Sequence, residues 1–181
     1  MKHSLVVALI LSSLVAGVSH ADTATESSKR IAEAVEAFKP LAGSGVDVYE
    51  VKPGSAKQML LALALKEQIV ESAKDFELVS TKEAWQGDSG NWGLETMKGA
   101  FSYILSVDQD ALKEMSSKDR AQLEKNLQAA KAAFPLLMNT GVQFGVVPLG
   151  AVQCGYRYAG LAILDTQYGK IYVFAKEPSG C

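Results

Sequence analysis

Apolar residues recur at helical spacing along most of the first three quarters of the chain. Ile31, Val35 and Phe38 form one stripe of a helix predicted over residues 26–39, which the following proline ends. The same spacing predicts three further main helices, at about residues 55–74, 94–105 and 117–134, and a short helical turn at residues 110–115. The pattern therefore predicts about four helices before residue 140.

Two of these helices have recognisable starts. Ser55 and Gln58 have the spacing of a capping box, in which each side chain accepts a hydrogen bond from an unpaired backbone N–H. One of the adjacent serines Ser116 and Ser117 is expected to cap the last helix. Because Met59–Leu65 is apolar nearly all round, the helix that begins at Ser55 is expected to be buried on more than one side.

Strand patterns are concentrated near the C-terminus. Val46–Val51 alternates as a strand does, and Phe76–Val79 is a second, short strand candidate. Residues 142–176 are rich in Gly, Val, Tyr and Ile and predict three or four strands, with Gln167-Tyr168-Gly169 as the turn of an antiparallel hairpin. Runs of helix followed by runs of strand are typical of an α+β domain. We therefore expect about four helices packed on one face of an antiparallel sheet formed largely by the C-terminal third.

The first 21 residues have the pattern of a cleavable secretory signal. Lys2 gives a positively charged start, Leu5–Val18 is a 14-residue apolar stretch broken only by Ser and Gly, and small residues occupy positions 19 and 21. A spanning helix needs about 20 apolar residues, which disfavours an uncleaved membrane anchor. We expect cleavage between Ala21 and Asp22, and a periplasmic or secreted product.

The remaining chain is expected to be a flexible leader over residues 22–28 and a single domain over residues 29–181. The full chain has 18 basic and 20 acidic residues, a net charge of −2, which offers no electrostatic footprint for nucleic acid or an anionic membrane. After the signal, the longest unbroken apolar stretch is Met59–Leu65, too short to span a bilayer. We expect no nucleic-acid partner and no transmembrane anchor after cleavage.

Cys154 and Cys181 are the two cysteines of the chain. In an oxidising compartment such a pair is normally bridged, so a disulfide that holds the C-terminal tail to a strand is predicted. No C-x-x-C pair, the arrangement typical of thiol exchange, occurs in the sequence.

Both histidines, His3 and His20, lie in the predicted signal. Their absence from the mature chain excludes histidine-dependent nucleophilic catalysis and histidine-ligated metals. Gly87–Gly90 resembles the stretch around the nucleophilic serine of chymotrypsin-like proteases over four residues, but Ser89 has no histidine to activate it. The same loop lacks the ligand spacing of a calcium-binding loop. We expect no cofactor and no metal.

Carboxylate chemistry is the enzymatic alternative that remains. Glu83, Asp88 and Glu95 flank a loop that contains Trp85 and Trp92. Two suitably spaced acids cleave a glycosidic bond without histidine, and indole rings stack on sugars. The structural alternative is that the acids only solvate the surface while the tryptophans anchor the loop.

A second candidate surface follows Cys154. Strand alternation would place Tyr156 on one face and Arg157 on the other. Arg157 suits a carboxylate of an acidic partner, or else a structural ion pair.

Three functions are compatible with these features. The leading hypothesis is an exported bacterial protein that binds, without catalysis, another protein in the manner of an inhibitor or immunity protein, or a cell-envelope component. Its expected contact residues are Trp85, Trp92, Tyr156 and Arg157. The alternatives are a glycan-binding or glycan-cleaving protein, and a small-ligand carrier with a pocket between sheet and helices.

Overall fold

The computed structural model describes residues 25–43, 45–79, 93–153 and 156–175. Its helices are α1 (residues 25–38), α2 (Ala56–Lys66), α3 (Ala73–Val79), α4 (Met97–Leu105), α5 (Gln109–Glu114) and α6 (Ser117–Ala133). Its strands are β1 (Val46–Glu50), β2 (Gly93–Glu95), β3 (Gln143–Gln153), β4 (Tyr156–Asp165) and β5 (Lys170–Phe174). Short 3-10 turns follow α1 at Lys39–Leu41 and α6 at Phe134–Leu137. The α+β prediction is confirmed, with the strands mostly in the C-terminal part.

All five strands form one antiparallel sheet in the order β1-β5-β4-β3-β2. The predicted hairpin turn joins β4 to β5: Asp165 pairs with Lys170, and the last turn residue, Gly169, has a φ of +69°. A glycine suits this position because an L side chain rarely adopts positive φ. β3 contains a register shift between Pro148 and Val152, whereas β4 runs continuously opposite it.

Helices cover both faces of this sheet. Alternate residues of β4 and β5 enter two separate clusters, so each strand is buried on both sides. One cluster joins α1, α4 and α6 to Phe144, Leu161, Ile163, Tyr172 and Phe174, and the other joins α2 and α3 to Val147, Ala162, Leu164, Ile171 and Val173. The expectation that the helices lie on one face is therefore wrong. The central strands are apolar at consecutive positions, which requires cover on both sides.

Aromatic rings hold the first cluster together. The ring centroid of Phe38 lies 4.9 Å from that of Phe134 and 6.0 Å from that of Phe174, and the Phe101 centroid lies 4.8 Å from Phe134. These contacts join α1, α4, the turn after α6 and β5 in tilted and edge-on geometries that aromatic pairs favour. The predicted stripe on α1, which ends at Phe38, is confirmed as core.

The capping box that opens α2 is present, but the helix is shorter than predicted. The Ser55 side chain accepts from the N–H of Gln58, and the Gln58 side chain accepts from the N–H of Ser55. The helix ends at Lys66 instead of residue 74. Gln68 adopts a φ of +54°, while Ile69 N–H donates to the Ala64 carbonyl at 2.9 Å and Gln68 N–H to the Leu65 carbonyl at 3.2 Å. This is a Schellman motif made without glycine.

The strand predicted at Phe76–Val79 is wrong, because these residues belong to α3. Ser72 begins that helix: its Oγ accepts from Asp75 N–H at 3.3 Å and donates to Asp75 Oδ2 at 2.6 Å. Phe76 is buried in the second cluster. A local cap therefore determines the structure of a segment whose apolar run was too short to distinguish helix from strand.

The first turn of α1 is tied to the β4–β5 turn. Ser28 Oγ donates to Asp165 Oδ2 at 2.6 Å, and Asp165 Oδ1 accepts from the N–H groups of Gln167 and Tyr168 at 3.2 and 3.1 Å. The leader expected over residues 22–28 thus overlaps this helical turn.

Burial, and then the charge of Asp165, raises the pKa of Tyr172. None of the described helices is both long and apolar enough to cross a membrane.

Candidate functional site

Most of the residues singled out from the sequence lie outside the described ranges. This applies to Glu83, Trp85, Asp88 and Trp92, and also to the predicted disulfide pair, Cys154 and Cys181. Tyr156 and Arg157 form the first two positions of β4, where the structure describes the backbone. The roles assigned to these residues remain predictions.

Glu95 is the one candidate acid that lies within the described ranges, and its contacts stabilise a helix start. Its Oε1 accepts from Thr96 N–H at 2.6 Å and from Thr96 Oγ1 at 3.1 Å. Thr96 in turn caps α4 by accepting from Gly99 N–H at 3.0 Å. A Cβ atom on Gly99 would lie 2.1 Å from Glu95 Oε1, so the carboxylate occupies space that this glycine leaves open. A carboxylate near a helix N-terminus is favoured by the helix dipole.

A cavity lies between the helices and the sheet at Phe38, Tyr103 and Phe174. Its volume is about 10 Å³, about enough for one water molecule. This position in the core therefore has no room for the small ligand that a carrier protein would hold.

A larger concave surface lies where α5 meets the N-terminal half of α6. It consists of two adjoining pockets of about 270 and 320 Å³, which we call the α5–α6 groove. Val107 and Leu123 line both pockets. The groove is thus an open surface with two adjoining depressions that share two apolar residues.

The first pocket lies between the turn after α1 and the segment that leads into α5. Its apolar lining includes Pro40, Leu41, Ile104 and Met115. Its polar members already have structural contacts. Asp108 Oδ1 accepts from the N–H groups of Asp110 and Ala111 at 2.8 and 3.4 Å, and Ser106 Oγ donates to the Tyr103 carbonyl at 2.9 Å. A bound partner would therefore contact this pocket mainly through its apolar side chains.

The second pocket is apolar inside and charged at its margin. Leu112 of α5 and Leu127 of α6 line it together with Lys113, Arg120 and Glu124. Arg120 Nη2 donates to the Leu112 carbonyl at 2.6 Å, which ties the two helices together across the pocket. The rim thus carries charges of both signs beside an apolar interior.

α5 is held in place by few buried contacts. No residue of this six-residue helix is buried, and Met115 just after it is 36% exposed. The Arg120 hydrogen bond to the Leu112 carbonyl joins it to α6, and Asp108 caps its own first turn. Elements with few buried apolar contacts open at low free-energy cost, so this side of the groove is expected to adapt to a bound partner.

The sequence did not single out this groove. Leu123, Leu127, Ala130 and Phe134 have the helical spacing of one apolar face, which predicts a buried face, but only Ala130 and Phe134 are buried. The available signal was the polar composition of the first turns of α6, where no large apolar residue precedes Leu123. Leucines that follow such a polar start are typical of a boundary position.

Within the described ranges, every buried side-chain nitrogen and oxygen has a hydrogen-bond partner, and no group of three acidic, cysteine or histidine residues is placed to hold a metal ion. Comparisons with models of known protein families, with curated proteins and with solved structures gave no match to this chain.

Proposed function

We propose that this is an exported bacterial protein that acts by binding, without catalysis of its own. Its partner is another protein, bound in the manner of an inhibitor or immunity protein, or a component of the cell envelope. The signal-like first 21 residues support export to the periplasm or the extracellular space. The observation that carries the binding proposal is the α5–α6 groove.

The shape of the groove favours a macromolecular partner. Pockets for drug-sized ligands are about 300–1,000 Å³ and enclose most of the ligand. The two pockets here, of about 270 and 320 Å³, are open and share Val107 and Leu123 in their linings. Two shallow neighbouring depressions suit two side chains of one partner, the arrangement by which apolar anchors contribute most of an interface's affinity.

The rim of the groove supports specificity. Lys113, Arg120 and Glu124 place both signs of charge beside Leu112 and Leu127. Rim charges contribute mainly to partner choice and association rate, and the apolar interior contributes the affinity. This division is typical of interfaces and differs from an active site, in which polar groups converge on a reacting atom.

Affinity capture from an envelope extract tests the proposal, with a variant in the groove and a matched variant elsewhere. Leu127→Asp places a charge in the second pocket, and Leu65→Asp places the same charge on α2, where Leu65 is 41% exposed. Thermal melts of both variants first establish that each folds. We expect Leu127→Asp to weaken partner capture by more than about 2 kcal/mol, roughly thirtyfold, and Leu65→Asp to retain it.

Two outcomes would contradict the proposal. Equal capture by both variants would remove the groove from the interface. If the folded Glu83→Gln or Glu95→Gln variant loses an envelope-glycan cleavage that the parent protein performs, the non-catalytic proposal is wrong. An enzyme that depends on such an acid loses several powers of ten in rate on this change.

A further inference from the structure

The two edges of the sheet differ in how they are protected against the addition of another strand. On one side the edge strand β2 has only three residues, and its neighbour β3 contains Pro148 and a register shift. Short strands, proline and bulges all hinder the addition of a further strand. On the other side β1 pairs with β5 in one unbroken register over all five of its residues and contains no proline or lysine. The β1 edge therefore lacks these protections.

A hydrogen bond just after β1 shows which of its backbone groups face away from β5. Val51 N–H donates to the Gly169 carbonyl at 2.8 Å, in the same register as the pairs of the two strands. In an antiparallel ladder, hydrogen-bonded pairs alternate with pairs whose backbone groups point away. Counting back from Val51, the N–H and C=O of Val48 point away from β5. Among the described residues only β5 pairs with β1, so these groups have no strand partner there.

The side chains of β1 make this edge apolar at its centre and acidic beside it. Val48 is 53% exposed although it lies opposite the buried Tyr172. Asp47 is exposed and forms no ion pair with any described residue. The other acid of the strand, Glu50, lies opposite Lys170, which partly balances its charge. An incoming strand thus meets one exposed apolar side chain and one unbalanced carboxylate.

A second carboxylate strengthens the negative charge near Asp47. Burial, then the charge of Glu67 and then that of Asp47, raise the pKa of Tyr49. Both carboxylates therefore lie close to the Tyr49 hydroxyl, on one side of β1. Lys66 contacts the ring of this tyrosine, with its Nζ 5.7 Å from the ring centroid. Two carboxylates and one ammonium leave this side of the strand negative.

We propose that β1 binds an extended segment of another protein as a sixth, antiparallel strand, with an apolar residue opposite Val48 and a basic residue opposite Asp47. Main-chain hydrogen bonds give such strand addition its affinity, and the side-chain positions give it specificity. A second copy of this chain suits the edge less well. When Val48 of one copy faces Val48 of the other, the two Asp47 residues are diagonal neighbours about 7–8 Å apart, within the screening length of about 8 Å.

Binding of synthetic peptides to the full-length protein tests this proposal by fluorescence anisotropy. The probe is a labelled peptide of about six residues in which valine alternates with lysine, and its control has glutamate in place of each lysine. The protein variants are Val48→Pro and Val48→Thr. Proline removes the outward N–H and leaves the bonds to β5 in place, as edge strands tolerate, whereas threonine keeps the N–H and the branched side chain.

We expect the lysine peptide to bind the parent protein and Val48→Thr with similar affinity. Val48→Pro should bind it roughly tenfold more weakly, because one or two hydrogen bonds are lost. Asp47→Asn should also weaken binding, and its difference from the parent should shrink at high salt. None of these residues lines the α5–α6 groove, so Leu127→Asp should bind the peptide as the parent does. The proposal can therefore fail or hold independently of the function proposed for the groove.

Thermal melts first establish that Val48→Pro folds. If it does not, N-methylated peptides decide with the unmodified protein: methyl groups on the valine amides, which face β1, should abolish binding, and those on the lysine amides should leave it intact. Equal effects of the two methylations, equal binding by Val48→Pro and Val48→Thr, or no binding of the lysine peptide would overturn the proposal. Equally tight binding of the glutamate peptide would overturn the basic partner. A dimer in sedimentation that Val48→Pro abolishes would assign the edge to a second copy instead.

Discussion

Replacing Leu63 by Ala should remove a large part of the stability of the domain. Leu63 is 2% exposed and belongs to the cluster between α2 and the sheet. Truncation of a buried leucine leaves a cavity and costs about 3–4 kcal/mol. Leu65→Ala is the matched control, because Leu65 lies on the same helix and is 41% exposed. The control should cost about 0.5 kcal/mol or less.

Urea denaturation followed by tryptophan fluorescence measures this difference. With an m-value of about 2 kcal/mol per molar urea, Leu63→Ala should lower the midpoint by roughly 1.5–2 M, and Leu65→Ala by about 0.25 M or less. Leu63→Asp, which would bury a charge at the same place, should not fold. Equal midpoints for the two alanine variants would refute the packing of α2 against the sheet.

Three further predictions concern single positions. Gly169→Ala should cost several kcal/mol, because its Cβ would lie 2.1 Å from the Val51 carbonyl oxygen; Gly141→Ala, also at positive φ but with no atom within 4 Å, should cost only about 1–2 kcal/mol of backbone strain. Similar denaturation midpoints for both would contradict this. Because burial raises the pKa of Tyr172 above 10.0, the unfolded chain loses this proton first, so stability should fall as the pH rises from about 10 towards the folded pKa. In denaturation series at alkaline pH, Tyr172→Phe should reduce the loss of unfolding free energy with rising pH. An unchanged slope of that free energy against pH would contradict the role of Tyr172. Glu95→Gln should lower the thermal midpoint slightly and leave partner capture intact, since its carboxylate contacts a helix start; loss of capture at full stability would assign it to the interface instead.

Local signals predicted most of the helices correctly. Ser55 and Ser116 cap α2 and α6 as expected, because a cap depends on residues three positions apart. The end of α2 was missed because Gln68 takes the left-handed conformation that glycine usually supplies. The strand predicted at Phe76–Val79 is wrong for a related reason: a segment of three apolar residues and one glutamate is compatible with either period.

Tertiary features required information that no single segment carries. The sequence of β4 and β5 is apolar at consecutive positions, a pattern that indicates a sheet covered on both faces. We instead expected helices on one face only. The groove depends on how α5 is placed against α6, which the sequence of neither helix determines alone. Leu123 has the same helical spacing whether it is buried or lies at a boundary, so its position in the groove could not be predicted from that spacing. The acids and tryptophans near residue 90 lie mostly outside the described ranges, so their roles remain predictions.

Site-specific photo-crosslinking in the exporting cell tests the proposed binding function most directly. A photoreactive amino acid replaces Lys113 at the groove rim in one protein and Leu65 on α2 in another. The account predicts one defined adduct from position 113, identified by mass spectrometry, and no such adduct from position 65. The absence of any adduct at 113, or the same adduct from both positions, would contradict the claim that this protein binds its partner through the α5–α6 groove.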